Sequence, residues 1–449
     1  MLQTLFYIPP QFFGVPIFGI GWLFGILLVG TAVALLVPCL RQKTSVASTL
    51  AAAAVIAALL VFVFPNLAEH GNGTPIRGYG LCLLTAVLVS LALVVRLAKK
   101  RNIPTESVYS LCIWAVVSGI VGARIFYVTE YWQDIICFDN ADHLLLPDTL
   151  FNIANIAGGG LVVFGSILGG IIGSAVFIRR NKLPFFASFD AMAPALMLGI
   201  SIGRIGCFLN GCCFGGVCDL PWAVTFPADS PAHIHQIVHG DVFCGGLKFK
   251  ETDGALTISE VQHGSGAAQA GLKSGMAIRS IAAVAGEYSG RLTVWQVRSV
   301  SELTALLRYL YRFYPKENVR FDICMNPEQT ETQPYYVPVM PPQVLPVHPT
   351  QLYSSAAALA VCGILLVLGS LPLYRRRDGL VFATFLILYA AVRFVLEIIR
   401  TDEDSFLGTG LTVSQNICLA AGAVGIIFFI FILRRKSKFP KNSLDIIRE

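Results

Sequence analysis

The sequence predicts an all-α polytopic membrane protein of about nine transmembrane helices, carrying one small α+β extracytoplasmic insertion. Three observations lead there. The chain of 449 residues is 55% hydrophobic and only 13% charged, against about 25% charged in a soluble domain. The deficit is concentrated in long segments: Ile113 to Gly122 and Ile156 to Ile178 hold no acidic or basic residue. Short basic runs then recur in every second loop between such segments, as the positive-inside rule requires.

Apolar runs long enough to span a bilayer fall near 16–38, 47–65, 79–98, 108–130, 157–178, 188–209, 353–372, 379–399 and 415–433. The basic runs are Arg41/Lys43, Lys99/Lys100/Arg101, Arg179/Arg180/Lys182, Arg375/Arg376/Arg377 and Arg434/Arg435/Lys436, whereas an intervening loop carries Asp134, Asp139, Asp142 and Asp148. This alternation places the N-terminus outside and the C-terminus in the cytoplasm, which fits an odd number of spans. The net charge of +6 resides in these runs, a membrane-topology pattern that gives no nucleic-acid footprint. The opening MLQTLFYIPPQFFG lacks the basic start of a cleavable signal, so the first span is expected to be retained. A short echo links Gly14–Gly21 (GVPIFGIG) to Gly73–Gly80 (GTPIRGYG), each leading into an apolar run.

The domains expected are 1–70 with two N-terminal transmembrane helices, 71–240 and 336–449 as the two parts of a membrane core, and 241–335 as the outer insertion. Within the insertion, GALTISEV alternates as a strand does. GSGAAQAGLKSGMAI has glycines for tight turns around one short helix. SVSELTALLRYLYRFY reads as a helix with Ser301 as N-cap and Leu303, Leu306, Leu307 and Leu310 on one stripe. NVRFDICM reads as a closing strand, and PYYVPVMPPQVLPVHP as a Pro-rich extended tether back to the membrane. Strand, glycine turn, helix and strand resemble a bacterial PDZ module, with SGAAQAGLKSGMAI the specific part. Gly266 and Met276 depart from the proline and acidic residue usual there. The resemblance implies a peptide ligand for 250–326; an insertion without a ligand stands beside it.

Charge inside the bilayer is costly and marks function by default. Two places qualify. In GISIGRIGCFLNGCCFGG, 199–216, Arg204 lies among glycines, with Asn210 six residues on. In YAAVRFVLEIIR, 389–400, Tyr389, Arg393 and Glu397 are four apart and share one helix face. Two guanidinium groups suit an anionic lipid head group, because the planar fork donates to two oxygens at once. Glycines around Arg204, Gly203 and Gly206 among them, let backbone N–H groups approach the same anion; equally, they allow close helix packing. His348, opening HPTQLY, fits either a general base or a structural donor. An Arg393–Glu397 ion pair that only fixes packing is the structural alternative there.

At these residues the chain resembles the prolipoprotein diacylglyceryl transferase family. IRGYG, GARIFYV (122–128), GGGLVVFGSILGG (158–170), GRIGCFLNG (203–211) and HPTQLY with YAAVRFVLEIIR follow in family order. GRIGCFLNG is similar to the family's most specific motif. The resemblance implies a bacterial inner-membrane enzyme, with N-terminus and insertion periplasmic. It implies transfer of diacylglyceryl from phosphatidylglycerol to the lipobox cysteine of a preprolipoprotein, whose signal peptide enters from the bilayer, with no cofactor. Carried over by position, Arg204, Arg393, His348 and Glu397 act in catalysis, and Tyr79, Asn210, Tyr389, Gly203 and Gly206 bind the lipid. Phe164 stands where the family has histidine, which leaves the base to His348, to Glu397 or to a thiolate formed in solvent. Cys207 replaces the family's asparagine, and Cys212 a position often held by glutamate. The spacing of Cys207, Cys212, Cys213 and Cys218 does not match a zinc ribbon, so no metal is assigned; a disulfide or simple packing are the alternatives. The rival functions are a transporter, which would show repeated halves, and a non-catalytic scaffold holding envelope proteins through the insertion.

Overall fold

The computed structural model describes residues 4–18, 20–36, 50, 53–54, 56–57, 60–61, 73–136, 145–155, 160, 162–227, 230–252, 255–285, 299, 302–303, 305–306, 318–325, 333–338, 344–400 and 411–435. In chain order the elements are β1 (Thr4–Ile8), β2 (Gln11–Phe12), β3 (Val15–Pro16), α1 (Trp22–Leu36), β4 (Thr74–Arg77), α2 (Gly78–Lys99), α3 (Thr105–Glu130), α4 (Trp132–Ile135), α5 (Leu146–Ala154), α6 (Val163–Arg180), α7 (Phe185–Asn210) and α8 (Pro231–Val238). There follow β5 (Leu247–Thr252), β6 (Ala255–Val261), α9 (Gly266–Gln269), β7 (Ala277–Ala285), β8 (Asn318–Met325), β9 (Gln333–Pro338), α10 (Thr350–Ser370), α11 (Pro372–Arg376), α12 (Leu380–Ile398) and α13 (Val413–Arg434).

Six of these helices are long and apolar enough to cross a membrane: α2, α3, α7, α10, α12 and α13. They match the spans expected from 79, 108, 188, 353, 379 and 415 onward. Between 17% and 33% of each apolar window is buried inside the protein, so most of their Leu, Ile and Val side chains face outward. Such surfaces are stable only against lipid. The protein is a polytopic helical membrane protein. The remaining expected spans look different. The one at 16–38 begins as strand β3 and continues as α1, whose 15 residues reach only about 22 Å. The one at 157–178 appears as α6, of 18 residues. Most of 47–65 lies outside the described residues. Both copies of the sequence echo have the same form, a short strand leading into an apolar helix: β3 into α1, and β4 into α2.

The chain forms two compact units, residues 1–82 with 205–351, and residues 83–204 with 352–449. In the second unit α3 packs on α6 and α12 on α13. The α3–α6 contact depends on glycine: a Cβ on Gly165 would lie 2.4 Å from the Gly122 carbonyl oxygen, so the two backbones meet without side chains between them. Asp190 of α7, its side chain fully buried, orders the opposite end of the bundle. Its Oδ2 accepts from Gly379 N at 2.8 Å and its Oδ1 from Phe382 N at 2.8 Å, satisfying donors at the start of α12 that no helical carbonyl can reach. Arg101, 3.0 Å from Asp190 and from Asp378, balances the buried charge.

In the first unit β1 pairs antiparallel with β4, and the insertion forms an antiparallel sheet in the order β5-β6-β7-β8-β9. Three expected pieces stand there: GALTISEV as β6, the helix in the glycine turn as α9, and NVRFDICM as β8. Leu247, Phe249, Leu256, Ile258, Ala267, Leu303 and Leu306 are buried. Part of the expected tether is not free chain, because Gln333–Pro338 pairs with Asn318–Ile323 as the outermost strand. At the start of the predicted helix Ser299 Oγ accepts from Glu302 N at 3.3 Å. Ser301 and most of that helix lie outside the described residues. The two ends of the insertion are tied together by Gln236 of α8. Its Nε2 donates to Leu345 O at 2.9 Å and its Oε1 accepts from Leu345 N at 3.1 Å.

Candidate active site

In the second unit, α7 and α12 supply the intramembrane charge. Arg204 lies in the last two turns of α7, partly buried. Among the described residues it makes no hydrogen bond or ion pair, and a Cβ on neighbouring Gly203 would meet nothing within 4 Å. The α7 backbone one turn earlier is held firmly. Ser201 Oγ donates to Ser355 O at 2.9 Å, and Ser355 Oγ returns a bond to Ser201 O at 2.8 Å, both groups buried. This reciprocal clamp joins α7 to α10 and places Arg204. The backbone that carries its guanidinium is therefore held from one turn below.

Arg393 differs. Its Nη1 lies 2.7 Å from Glu397 Oε2, one turn on along α12, with the Glu397 side chain fully buried and that of Arg393 17% exposed. Arg393 Nη2 also reaches Ser414 Oγ of α13 at 3.4 Å. The structure thus unites Arg393 and Glu397 as the four-residue spacing predicts. Tyr389 continues the same face, its ring stacked on Phe385 with centroids 5.8 Å apart. This cluster is polar and close to neutral overall.

An apolar cleft of about 660 Å³ lies in the same unit, between α2, α3 and α7. Leu83, Val87, Ile113, Val116, Leu196 and Ile200 are among its walls. Gly199 and Ile200, also in the wall, are about one helical turn from Arg204. A cation about one turn from an apolar cleft has the polarity of a lipid head and its tail.

In the first unit, Tyr79 stands against the signature helix. A Cβ on Gly206 would lie 3.2 Å from the Tyr79 ring and 3.0 Å from Cys82 Cβ, so glycine is needed for α2 and α7 to approach there. Asn210, the last residue of α7, hydrogen-bonds the Cys212 thiol. HPTQLY grips the turn after α7 by its main chain and by two side chains. His348 O accepts from Gly215 N at 2.9 Å and His348 N donates to Gly216 O at 3.0 Å. Thr350 Oγ1 donates to Cys213 O at 2.8 Å, and Gln351 Nε2 to Cys212 O at 2.7 Å. The Cys212 thiol is held above its ordinary range: its bond with Cys207 lowers it, but the bond with Cys213 and burial outweigh that. Phe164 occupies the first turn of α6 and offers no proton acceptor.

Several contributors escape a reading of the sequence. Ser201, Ser355 and Ser414 look unremarkable in apolar runs. Asp190 was open to detection, being the lone acidic residue of its span, a position that signals purpose. Arg124, in GARIFYV, is a further intramembrane cation. It donates to the carbonyls of Asn152, Ile153 and Gly160, so it braces the chain between α5 and α6.

The family described as prolipoprotein diacylglyceryl transferase matches residues 65–431. The phosphatidylglycerol–prolipoprotein diacylglyceryl transferase of Rhodopirellula baltica is 30% identical over 455 residues, covering 95% of this chain and 88% of that protein. The enzymes of the same name from Trichormus variabilis and Synechococcus elongatus are 37% and 36% identical over 174 and 165 residues. These cover 38% and 37% of this chain, and 57% and 53% of theirs. With its ordered motifs, its polar clusters on apolar helices and a family match over most of its length, the chain belongs to the prolipoprotein diacylglyceryl transferase family.

Proposed function

We propose that this protein transfers the diacylglyceryl group of phosphatidylglycerol to the lipobox cysteine of preprolipoproteins, forming a thioether and releasing glycerol phosphate. The lipobox thiolate attacks the glyceryl carbon, that carbon's bond to the phosphate oxygen breaks, and the phosphate leaves with the electron pair. The departing anion must be stabilised where its charge grows. The observation that carries this reading is the Arg204 guanidinium, clamped in place by the serine pair yet left open, one turn from an apolar slot suited to an acyl chain. Arg393 and Glu397 act as a preformed polar pair, with Tyr389 beside it. Tyr79, Asn210, Gly203 and Gly206 shape the lipid-binding surface. With Phe164 where the family has histidine, the proton of the attacking thiol passes to His348, to Glu397 or to solvent.

The protein is proposed to lie in the bacterial inner membrane with nine spans, its N-terminus and insertion periplasmic and its C-terminus cytoplasmic. The alternating basic runs support that orientation. Residues 241–335 form a PDZ-like insertion able to hold a peptide, while 1–70 add two helices to the family core. The signal peptide of the substrate enters laterally from lipid. The test is transfer of labelled lipid from phosphatidylglycerol to a lipobox peptide by the purified protein. Label on the peptide thiol supports the enzyme. No transfer, with the peptide still bound by the insertion, would favour the scaffold.

A further inference from the structure

The turn that ends the signature motif gathers three thiols. Cys207 is in the last turn of α7, and Cys212 and Cys213 follow it, yet their Sγ atoms all lie within 4.8 Å of one another. The backbone brings them together. Cys212 N donates to Cys207 O at 3.2 Å, and the Cys212 thiol also points at that carbonyl, 3.7 Å away. Cys213 adopts a left-handed backbone, φ 60°, which costs a non-glycine residue energy and turns the chain back on the helix. Thr350 and Gln351 then hold the carbonyls of Cys213 and Cys212. All three cysteines are partly exposed and none is in a disulfide.

We propose that Cys207, Cys212 and Cys213 form a site for one soft d10 cation of the zinc class, bound through three thiolates. The donor set selects such ions, because thiolate ligands favour soft or borderline metals. Size agrees. With metal–sulfur bonds of about 2.3 Å in a tetrahedral site, a triangle with edges up to 4.8 Å need contract by no more than about 0.6 Å per sulfur. A ribbon-type spacing is unnecessary, since helix end and left-handed turn do what a longer spacing does elsewhere. Three sulfurs leave the fourth position of a tetrahedral ion to solvent. On binding, each thiol releases its proton to solvent and the three thiolates offset the ion's charge. The ion would staple the end of α7 to the turn that HPTQLY holds.

Cadmium is the probe, because its bonds to sulfur absorb in the ultraviolet. The full-length protein, reduced in detergent, is titrated with Cd²⁺ and then challenged with Zn²⁺. Sulfur-to-metal absorption should appear, fall on zinc addition, and weaken at least tenfold in affinity in Cys207→Ser, Cys212→Ser and Cys213→Ser, while Cys218→Ser binds as the unaltered protein does. Maleimide labelling of the unaltered protein, mapped by peptide mass, needs no variant: Zn²⁺ should protect these three thiols together. Equal labelling with and without Zn²⁺, unchanged binding by Cys207→Ser, or a disulfide within the trio that persists under the reducing conditions of the titration would overturn the site.

Discussion

The two intramembrane arginines of the second unit carry the same group in opposite circumstances. Arg393 is already engaged, 2.7 Å from a fully buried Glu397 and 3.4 Å from Ser414. Arg204 has no such partner among the described residues. A paired guanidinium brings little net field to a new anion, whereas a free one retains all of its donors. The difference divides the work. On the proposed function, Arg204 would grip the phosphate that must leave, and the α12 pair would position the polar wall. The sequence reading has both arginines grip the head group; the Arg393–Glu397 contact supports the proposal of one clamp and one support.

The comparison can be broken most sharply at Arg204. Arg204→Ala should reduce transfer by about a thousandfold in kcat/KM, as loss of a preorganised charge donor does. Arg204→Lys should recover only part, because an ammonium cannot offer the bidentate fork. If Arg204→Ala left transfer intact while Arg393→Ala abolished it in a folded protein, the division of roles would be reversed. Removing Glu397 probes the other side. Glu397→Ala should destabilise the protein by about 2 kcal/mol by leaving a partly buried guanidinium uncompensated, read as a fall in thermal unfolding temperature in detergent. Glu397→Ala with Arg393→Ala should recover part of that stability, which a pair without coupling would not do.

Smaller effects come from the supports. Asp190→Asn loses the charge that caps α12 and answers Arg101, and should cost about 2 kcal/mol with little change in KM. Replacing residues 247–338 by a flexible linker should leave transfer within about tenfold of the full chain; kcat/KM of the excised protein checks this. Gln236 supports that outcome, because its bonds to Leu345 keep the two ends of the insertion together. The cut runs to Pro338 because β9 belongs to the sheet. Loss of all activity in a folded, excised protein would assign the insertion a catalytic part.

Much of this was legible beforehand for physical reasons. Lipid allows only backbone that satisfies itself, so unbroken apolar runs of sufficient length had to be helices, and among the described residues six are helices long and apolar enough to cross a membrane. The cost of charge in lipid singled out Arg204, Arg393 and Glu397, and four-residue spacing joined the last two. What escaped depends on contacts distant in sequence. Ser201 and Ser355 are 154 residues apart, and Asp190 caps a helix that starts at Leu380. Proline in PYYVP argued against a ladder strand, but an edge position tolerates it. The thiols converge through the Cys212–Cys207 main-chain bond and the left-handed turn at Cys213, which cysteine spacing does not announce.

The most direct measurement is the affinity of the purified protein for phosphatidylglycerol in nanodiscs or detergent, compared with phosphatidylcholine, before and after Arg204→Ala and Arg393→Lys. Arg204 gripping the phosphate predicts that Arg204→Ala loses at least tenfold in phosphatidylglycerol affinity, with Arg393→Lys close to the unaltered protein. Unchanged phosphatidylglycerol affinity in a folded Arg204→Ala protein would contradict it.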